Sequence, residues 1–261
     1  MRILISNDDG IYASGIRTMA RKLAEHHDVY VIAPDRERSA AGHSLTLHHP
    51  LRVEKTAMGL NNGEVKAWAV NGTPGDCVKI ALNAILDERP DILISGINNG
   101  PNLGADILYS GTVSAAMEGA VLECPSVAVS LCGVESDLAA FSYAADFMVK
   151  FVSRIASINF PKKTILNINI PAVDPEEIVG IKITSLGTRM YTDQYEKRKD
   201  PRGKTYYWLA GELIDTCEEE NSDITAIKDN KISITPITFE MTHKSIMPEL
   251  EKAFCNGLCE L

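Results

Sequence analysis

The sequence predicts an α/β protein: a mostly parallel sheet with helices on both faces, then a β-rich extension and a short C-terminal helix. Three observations carry this. Over the first two-thirds of the chain, short apolar runs of strand length alternate with helical spacing, the order that builds parallel sheets. Polar loops follow those runs, where open α/β sheets bind ligands. The last third holds strand-like runs with no comparable helices between them.

Taken in order, Ile3-Leu4-Ile5 is a buried strand, and Ile16, Met19, Ala20 and Leu23 follow at helical spacing. Val29 to Ala33 is a second strand, stopped by Pro34, and residues 65–70, VKAWAV, make another. Thr73 before Pro74 is a helix start, a cap followed by proline at the first helical position, and Val78, Ala81, Leu82 and Ile85 continue it. DILIS, Asp91 to Ser95, is a strand that feeds the loop GINNGPNLGADILYSG. The helix TVSAAMEGAVLE, the strand SVAVSL and a helix marked by Phe141, Ala145, Met148, Val152 and Ile155 come next. ILNINIP, IKITSL, TYYWLAG and KISITPI read as strands around the polar stretch YTDQYEKRKDPRGK, and a short helix runs near Pro248 to Phe254. The 261 residues suit one α/β domain, with a core to about residue 180 and the extension from about 181.

A formal net charge of −9 argues against binding long nucleic acid, which needs a basic surface. No apolar run reaches the roughly 20 residues that span a bilayer. Met1-Arg2-Ile3 enters a strand with no signal-peptide pattern, so the expected setting is the cytoplasm. The six cysteines are scattered, and Cys255 and Cys259 lack the second pair a structural zinc site needs.

The strongest chemical signal is Asn7-Asp8-Asp9-Gly10 at the first strand end. Two neighbouring carboxylates there suit a hard divalent cation such as Mg²⁺ or Mn²⁺, which would relieve their repulsion. The same residues also make an ordinary solvated turn. Ser39, in PDRERSAAGHSLT, offers a hydroxyl after the second strand; a flexible polar loop is the plainer reading. SGINNGPNLG, residues 95–104, holds three asparagines, whose side chains offer neutral amide oxygens, and three glycines, which let backbone approach a ligand closely. Ser110-Gly111-Thr112 opens a helix, where free N–H groups and hydroxyls can cradle a phosphate, and where simple capping is equally at home.

Several chemistries are excluded or weakened. The chain has no G-x-x-x-x-G-K-[ST] loop, no G-x-G-x-x-G after the first strand and no G-x-S-x-G elbow. An Asp-x-Asp phosphatase nucleophile would require aspartate where Asn7 stands.

ILISNDDGIYASGI, APDRERSAAGHSLT, VNGTPGDCVKIAL and ILISGINNGPNLGADILYSGTVSAAMEGA together resemble the SurE family of survival-protein-type acid phosphatases and nucleotidases. ILNINIP, DPRGKTYYWLAG and ISITPI resemble it too, so the likeness spans nearly the whole chain. The resemblance implies a Rossmann-like fold and hydrolysis of nucleoside 5′- and 3′-monophosphates. It implies one Mg²⁺ or Mn²⁺ per subunit on Asp8, Asp9, Ser39 and Asn98, with Asp8 and Asp9 catalytic. It places Asn99, Ser110, Gly111 and Thr112 near the phosphate, and implies a homodimer or homotetramer that exchanges a C-terminal hairpin and helix. One departure is Ala40, where relatives commonly carry glycine. Two other functions compete: a phosphatase for short polyphosphate or sugar phosphates, and a nucleotide-binding module without catalysis.

Overall fold

The computed structural model describes residues 1–59, 65–133, 138–155, 158, 160–192, 194–214 and 219–255. Part of the C-terminal tail, including Cys259, lies outside them.

The strands of the main sheet are β1 (Arg2–Ser6), β2 (Asp28–Pro34), β3 (Val53–Thr56), β4 (Lys66–Val70), β5 (Ile92–Asn99), β6 (Ser126–Cys132), β7 (Thr164–Pro171), β8 (Gly180–Ile183) and β13 (Lys231–Thr238). Short strands β9 (Met190–Tyr191), β10 (Tyr195–Lys199), β11 (Thr205–Leu209) and β12 (Leu213–Ile214) lie in two separate ladders. The helices are α1 (Ser14–Ala24), α2 (Pro74–Ile80), α3 (Gly111–Val121), α4 (Leu138–Ile155), α5 (Asp223–Lys228) and α6 (Met247–Phe254).

The sheet order is β3-β4-β2-β1-β5-β6-β7-β13-β8. From β4 to β7 all neighbours are parallel. Numbered among themselves, these six strands have the order 3-2-1-4-5-6 of the Rossmann fold. The order reverses between β1 and β5, the switch point where such sheets bind ligands. The loops after those two strands carry Asp8-Asp9 and Asn98-Asn99.

The apolar patterns have their expected consequence. α1 and α4 cover one face, burying Ile16, Met19, Phe141 and Met148 against Ile3, Ile94 and Val129. α2 and the helical segment after it cover the other face, with Cys77, Val78 and Leu82 on Leu4, Ile32 and Leu93. α3 lies on that side too, closing Val113, Ala116 and Ala120 over Ala128 and Ile165. Thr73 caps α2 through a reciprocal box with Asp76, and Pro74 stands in its first turn. The following segment to Ile85 is a wider helical turn.

Differences from the sequence reading are few. β2 ends at Pro34 as expected, and Pro34 is itself the last paired residue, opposite Val70. β5 runs four residues beyond Ser95, because a register shift between Ser95 and Asn98 lets the pairing with β6 resume. After residue 180 the chain divides. β8 and β13 complete the main sheet, with β13 antiparallel to β7. β10 and β11 form a hairpin away from it, with every residue exposed. α6 likewise buries none of its residues. Among the described residues no helix is long and apolar enough to cross a membrane.

Candidate active site at the sheet switch point

Asp8, Asp9, Ser39, Asn98, Asn99 and Ser110 line one cavity of about 360 Å³. Four segments converge to make it: the ends of β1 and β5, the loop after β2, and the start of α3. Glu37, Asn102, Asp106 and Tyr109 complete its wall.

Asp8 is buried, and Thr112 donates its hydroxyl proton to Asp8 Oδ1. The N–H groups of Gly111 and Thr112 also face this carboxylate. Asp8 therefore sits on the N-terminus of α3, where the helix favours negative charge. Burial pushes its carboxyl up, and these donors oppose the shift. The fit depends on Gly111: a Cβ there would lie 2.7 Å from Asp8 Cβ and 2.8 Å from Oδ2.

Asp9 is half-buried, and its Oδ2 accepts the Asn99 N–H at 3.1 Å. Burial first, then the Asp8 charge, push its carboxyl up to about 6; the Asn99 N–H pulls the other way, and Glu37 adds to the rise. Below them, Asn7 is fully buried and holds the turn through Nδ2 to the Gly10 carbonyl at 3.0 Å. Its Oδ1 has no hydrogen-bond partner, nor have the hydroxyls of Ser6 and Ser95, register neighbours on β1 and β5.

The donor set fits a hard divalent cation. Ser39 gives its proton to Glu37 Oε1 at 2.6 Å, which leaves the oxygen lone pairs for a ligand. Asn98 gives an Nδ2 proton to the Gly100 carbonyl at 2.9 Å, which leaves Oδ1 as the acceptor end of that amide. Together with Asp8 and Asp9 these are all oxygen donors, two of them charged and both disfavoured by burial. Among the described residues no group of three or more His, Cys, Asp and Glu side chains makes a metal site. A cation held by the two carboxylates would need neutral oxygens to complete its ligand set.

Of the residues expected around phosphate, Asn99 and Ser110 line the cavity. Ser110 also caps α3, its Oγ accepting the Val113 N–H at 3.1 Å while its own proton stays available. Gly111 and Thr112 are directed to Asp8, and Thr112 is fully buried. Capping and positioning thus take up most of what the sequence offered as a phosphate cradle.

Residues around these support the site, and nothing in the sequence reading singled out Glu118, Lys79 or Asn169 among them. The loop bearing Ser39 is fixed by Arg38 N–H on the Asp8 carbonyl at 2.7 Å and Gly42 N–H on the Tyr109 carbonyl at 3.2 Å. Buried Glu118 on α3 accepts from His43 at 2.9 Å and from Lys79 at 2.8 Å. The His43 bond is the main cause holding its carboxyl below the ordinary range; burial opposes it and Lys79 assists. Ala40 has a φ of +55°, a left-handed backbone that favours glycine. Asn102 donates to Asn169 Oδ1 at 2.9 Å and to Ser130 Oγ at 2.7 Å, while its carbonyl accepts from Asn167 and Asn169. The alternating N-I-N of β7, which puts two asparagines on one face, was the available signal.

Comparison with known proteins agrees with this geometry. Residues 3–193 match the family described as survival protein SurE. The 5′-nucleotidase SurE of Gloeobacter violaceus is 52% identical over 246 residues, covering 94% of this chain and 92% of the relative. The 5′-nucleotidase SurE of Alkaliphilus metalliredigens is 48% identical over 244 residues, covering 93% and 94%. The crystal structure of the SurE protein from Aquifex aeolicus has a TM-score of 0.83 at 39% identity, covering 97% of this chain and 99% of its own. With its switch-point aspartates, its sheet order and its sequence all in agreement, the chain belongs to the SurE family.

Proposed function

We propose that this protein is a divalent-metal-dependent nucleotidase that hydrolyses nucleoside 5′- and 3′-monophosphates to nucleoside and phosphate. The observation that carries the reading is the pair Asp8 and Asp9 at the switch point, in one cavity with Ser39, Asn98, Asn99 and Ser110. Nucleotidase SurE relatives at about half identity support the substrate class.

Asp8, Asp9, Ser39 and Asn98 would hold one Mg²⁺ or Mn²⁺ per subunit. When bound, the ion supplies Lewis acidity to the phosphate and acidifies water. The chain's own residues do the positioning that phosphoryl transfer requires. Thr112 and the start of α3 fix Asp8. Asp9 has one oxygen held by Asn99, which leaves the other to orient a water and take its proton. Ser110 donates its hydroxyl proton to a phosphate oxygen, and Asn99 contributes its amide. Phosphate release from AMP with Mn²⁺, with and without a chelator, tests the reading. Release is expected only with metal. Chelator-resistant release would remove the metal from the reaction, and AMP binding without release would leave a nucleotide-binding module.

We assign the protein to a homodimer or homotetramer held by the extension. Tyr195, Tyr207, Trp208 and Leu209 are 58–67% exposed on a single chain. An isolated hairpin is marginal in water, so these side chains need a surface to cover them. Light scattering on the full chain is expected to give an oligomer, and a chain with residues 195–209 replaced by a short Gly-Ser link a smaller species. A monomeric full chain at micromolar concentration would reject the assignment. The free thiols of Cys77, Cys124, Cys132 and Cys255 are consistent with a cytoplasmic setting.

A further inference from the structure

The loop after β2, residues 35–52, has no helix or strand of its own, and it carries Ser39. Just past Ser39 its backbone is left-handed twice, at Ala40 with a φ of +55° and at Gly42 with +54°. An L-alanine stays in that conformation only where its surroundings impose it. On the near side the tie is Arg38 N–H on the Asp8 carbonyl. On the far side Gly42 N–H bonds the Tyr109 carbonyl, and His43 Nε2 donates to Glu118 Oε2 at 2.9 Å. Further on, the loop is pinned to α2, where Asp76 accepts from the Thr46 N–H and hydroxyl.

Glu118 is the one charged residue of α3, and its side chain is 4% exposed. A buried carboxylate is costly unless it is paired and hydrogen-bonded. Lys79 on α2 brings a counter-charge to Oε1 at 2.8 Å. Held below the ordinary range chiefly by the His43 bond, the carboxyl is ionised at neutral pH and only accepts. Among the described residues, His43 makes the loop's one side-chain hydrogen bond to α3. The first turn of the same helix holds Asp8. One rigid element thus fixes Asp8 directly and the Ser39 loop at one remove.

We propose that Glu118 is a positioning residue for the metal site. Through His43 it holds the 39–42 segment on α3, so that the Ser39 hydroxyl stands where a cation on Asp8 and Asp9 can use it. The assignment rests on the metal-dependent reading and adds what fixes the ligand that comes from a loop. A carboxylate that only tied α2 to α3 would need Lys79 and leave His43 idle.

Calorimetric titration of Mn²⁺ into the full chain tests it. His43→Ala is expected to weaken binding about 10- to 100-fold, with the loss appearing in the Mn²⁺ needed for AMP hydrolysis and much less in kcat at saturating Mn²⁺. His43→Gln, whose amide nitrogen stands about where Nε2 does, should keep affinity near the parent's; His43→Asn, one atom shorter, should behave as the alanine variant. In a Ser39→Ala background His43→Ala should cost little more, because both act through one ligand. Unchanged affinity in His43→Ala, additive losses with Ser39→Ala, or a glutamine variant no better than the asparagine one overturns the role. Glu118→Gln weakens the same bond from α3, with the same direction expected, and replaces any histidine variant that melts early. Exchange of the Gly42 amide in metal-free protein separates this idea from the metal reading, and is expected to be about 10- to 100-fold faster in His43→Ala. A parent that takes up no Mn²⁺, while the variant frees this amide, keeps the tie and loses the metal. A parent and variant that bind Mn²⁺ alike, with exchange unchanged, keep the metal and lose the tie.

Discussion

Asp8→Asn and Asp9→Asn are each expected to lower phosphate release from AMP by about three orders of magnitude or more, with the fold intact. A Lewis-acid contribution of several kcal/mol disappears with the ligand, and each 1.36 kcal/mol is tenfold in rate. The stability side has a sign of its own. Both carboxyls are raised in the folded state, Asp9 to about 6. In metal-free protein their contribution is most favourable below the unfolded carboxylate range and is lost as pH rises through the folded values. At neutral pH a neutral amide at either position should therefore melt no earlier than the parent in chelator. Added Mn²⁺ should raise the melting temperature of the parent and much less that of the variants. Turnover near the parent's in either variant would sink the assignment of the pair.

Gly111→Ala is expected to weaken metal binding about 10- to 100-fold, the usual cost of disturbing the groups that hold a ligand. The added methyl has no room beside Asp8, so either the carboxylate or the start of α3 must move. Overpacking of this kind also costs about 1–3 kcal/mol of stability. Thr112→Val removes the hydroxyl donor at nearly constant volume and should weaken the metal with a smaller loss of stability. Calorimetric titration of Mn²⁺ into the three proteins decides it. Parent-like affinity in both variants would show that Asp8 needs neither its donor nor its clearance.

The parallel core was legible because its signals are local. Ile3-Leu4-Ile5, VKAWAV and SVAVSL have strand length and composition, and Thr73-Pro74 starts a helix by backbone chemistry alone. The placement of β13 between β7 and β8, antiparallel to the first and parallel to the second, was not, since nothing in KISITPI names its neighbours. The switch-point aspartates stood out because adjacent carboxylates are costly without a reason. What Ser110, Gly111 and Thr112 face was hidden, because a helix start looks the same whether it meets a phosphate or an aspartate 104 residues away. The tie between His43 and Glu118 was hidden too, because the two stand 75 residues apart and only the packed loop brings them together.

The sheet order also sets a timetable for synthesis. β8 has β13 as its neighbour in the main sheet, and β13 comes 48 residues later. At about 5–20 residues per second, a ribosome needs roughly 2–10 s to supply it. Through that interval β7 has β6 on one side and no partner on the other. Its outer row of N–H and C=O groups is then open to any extended chain nearby. Ile181 and Ile183 wait unpaired at the same time. The nascent chain is thus most exposed to misassembly late in translation, after its Rossmann core has been made. Pausing between codons 184 and 231 would lengthen that window, and faster elongation there would shorten it.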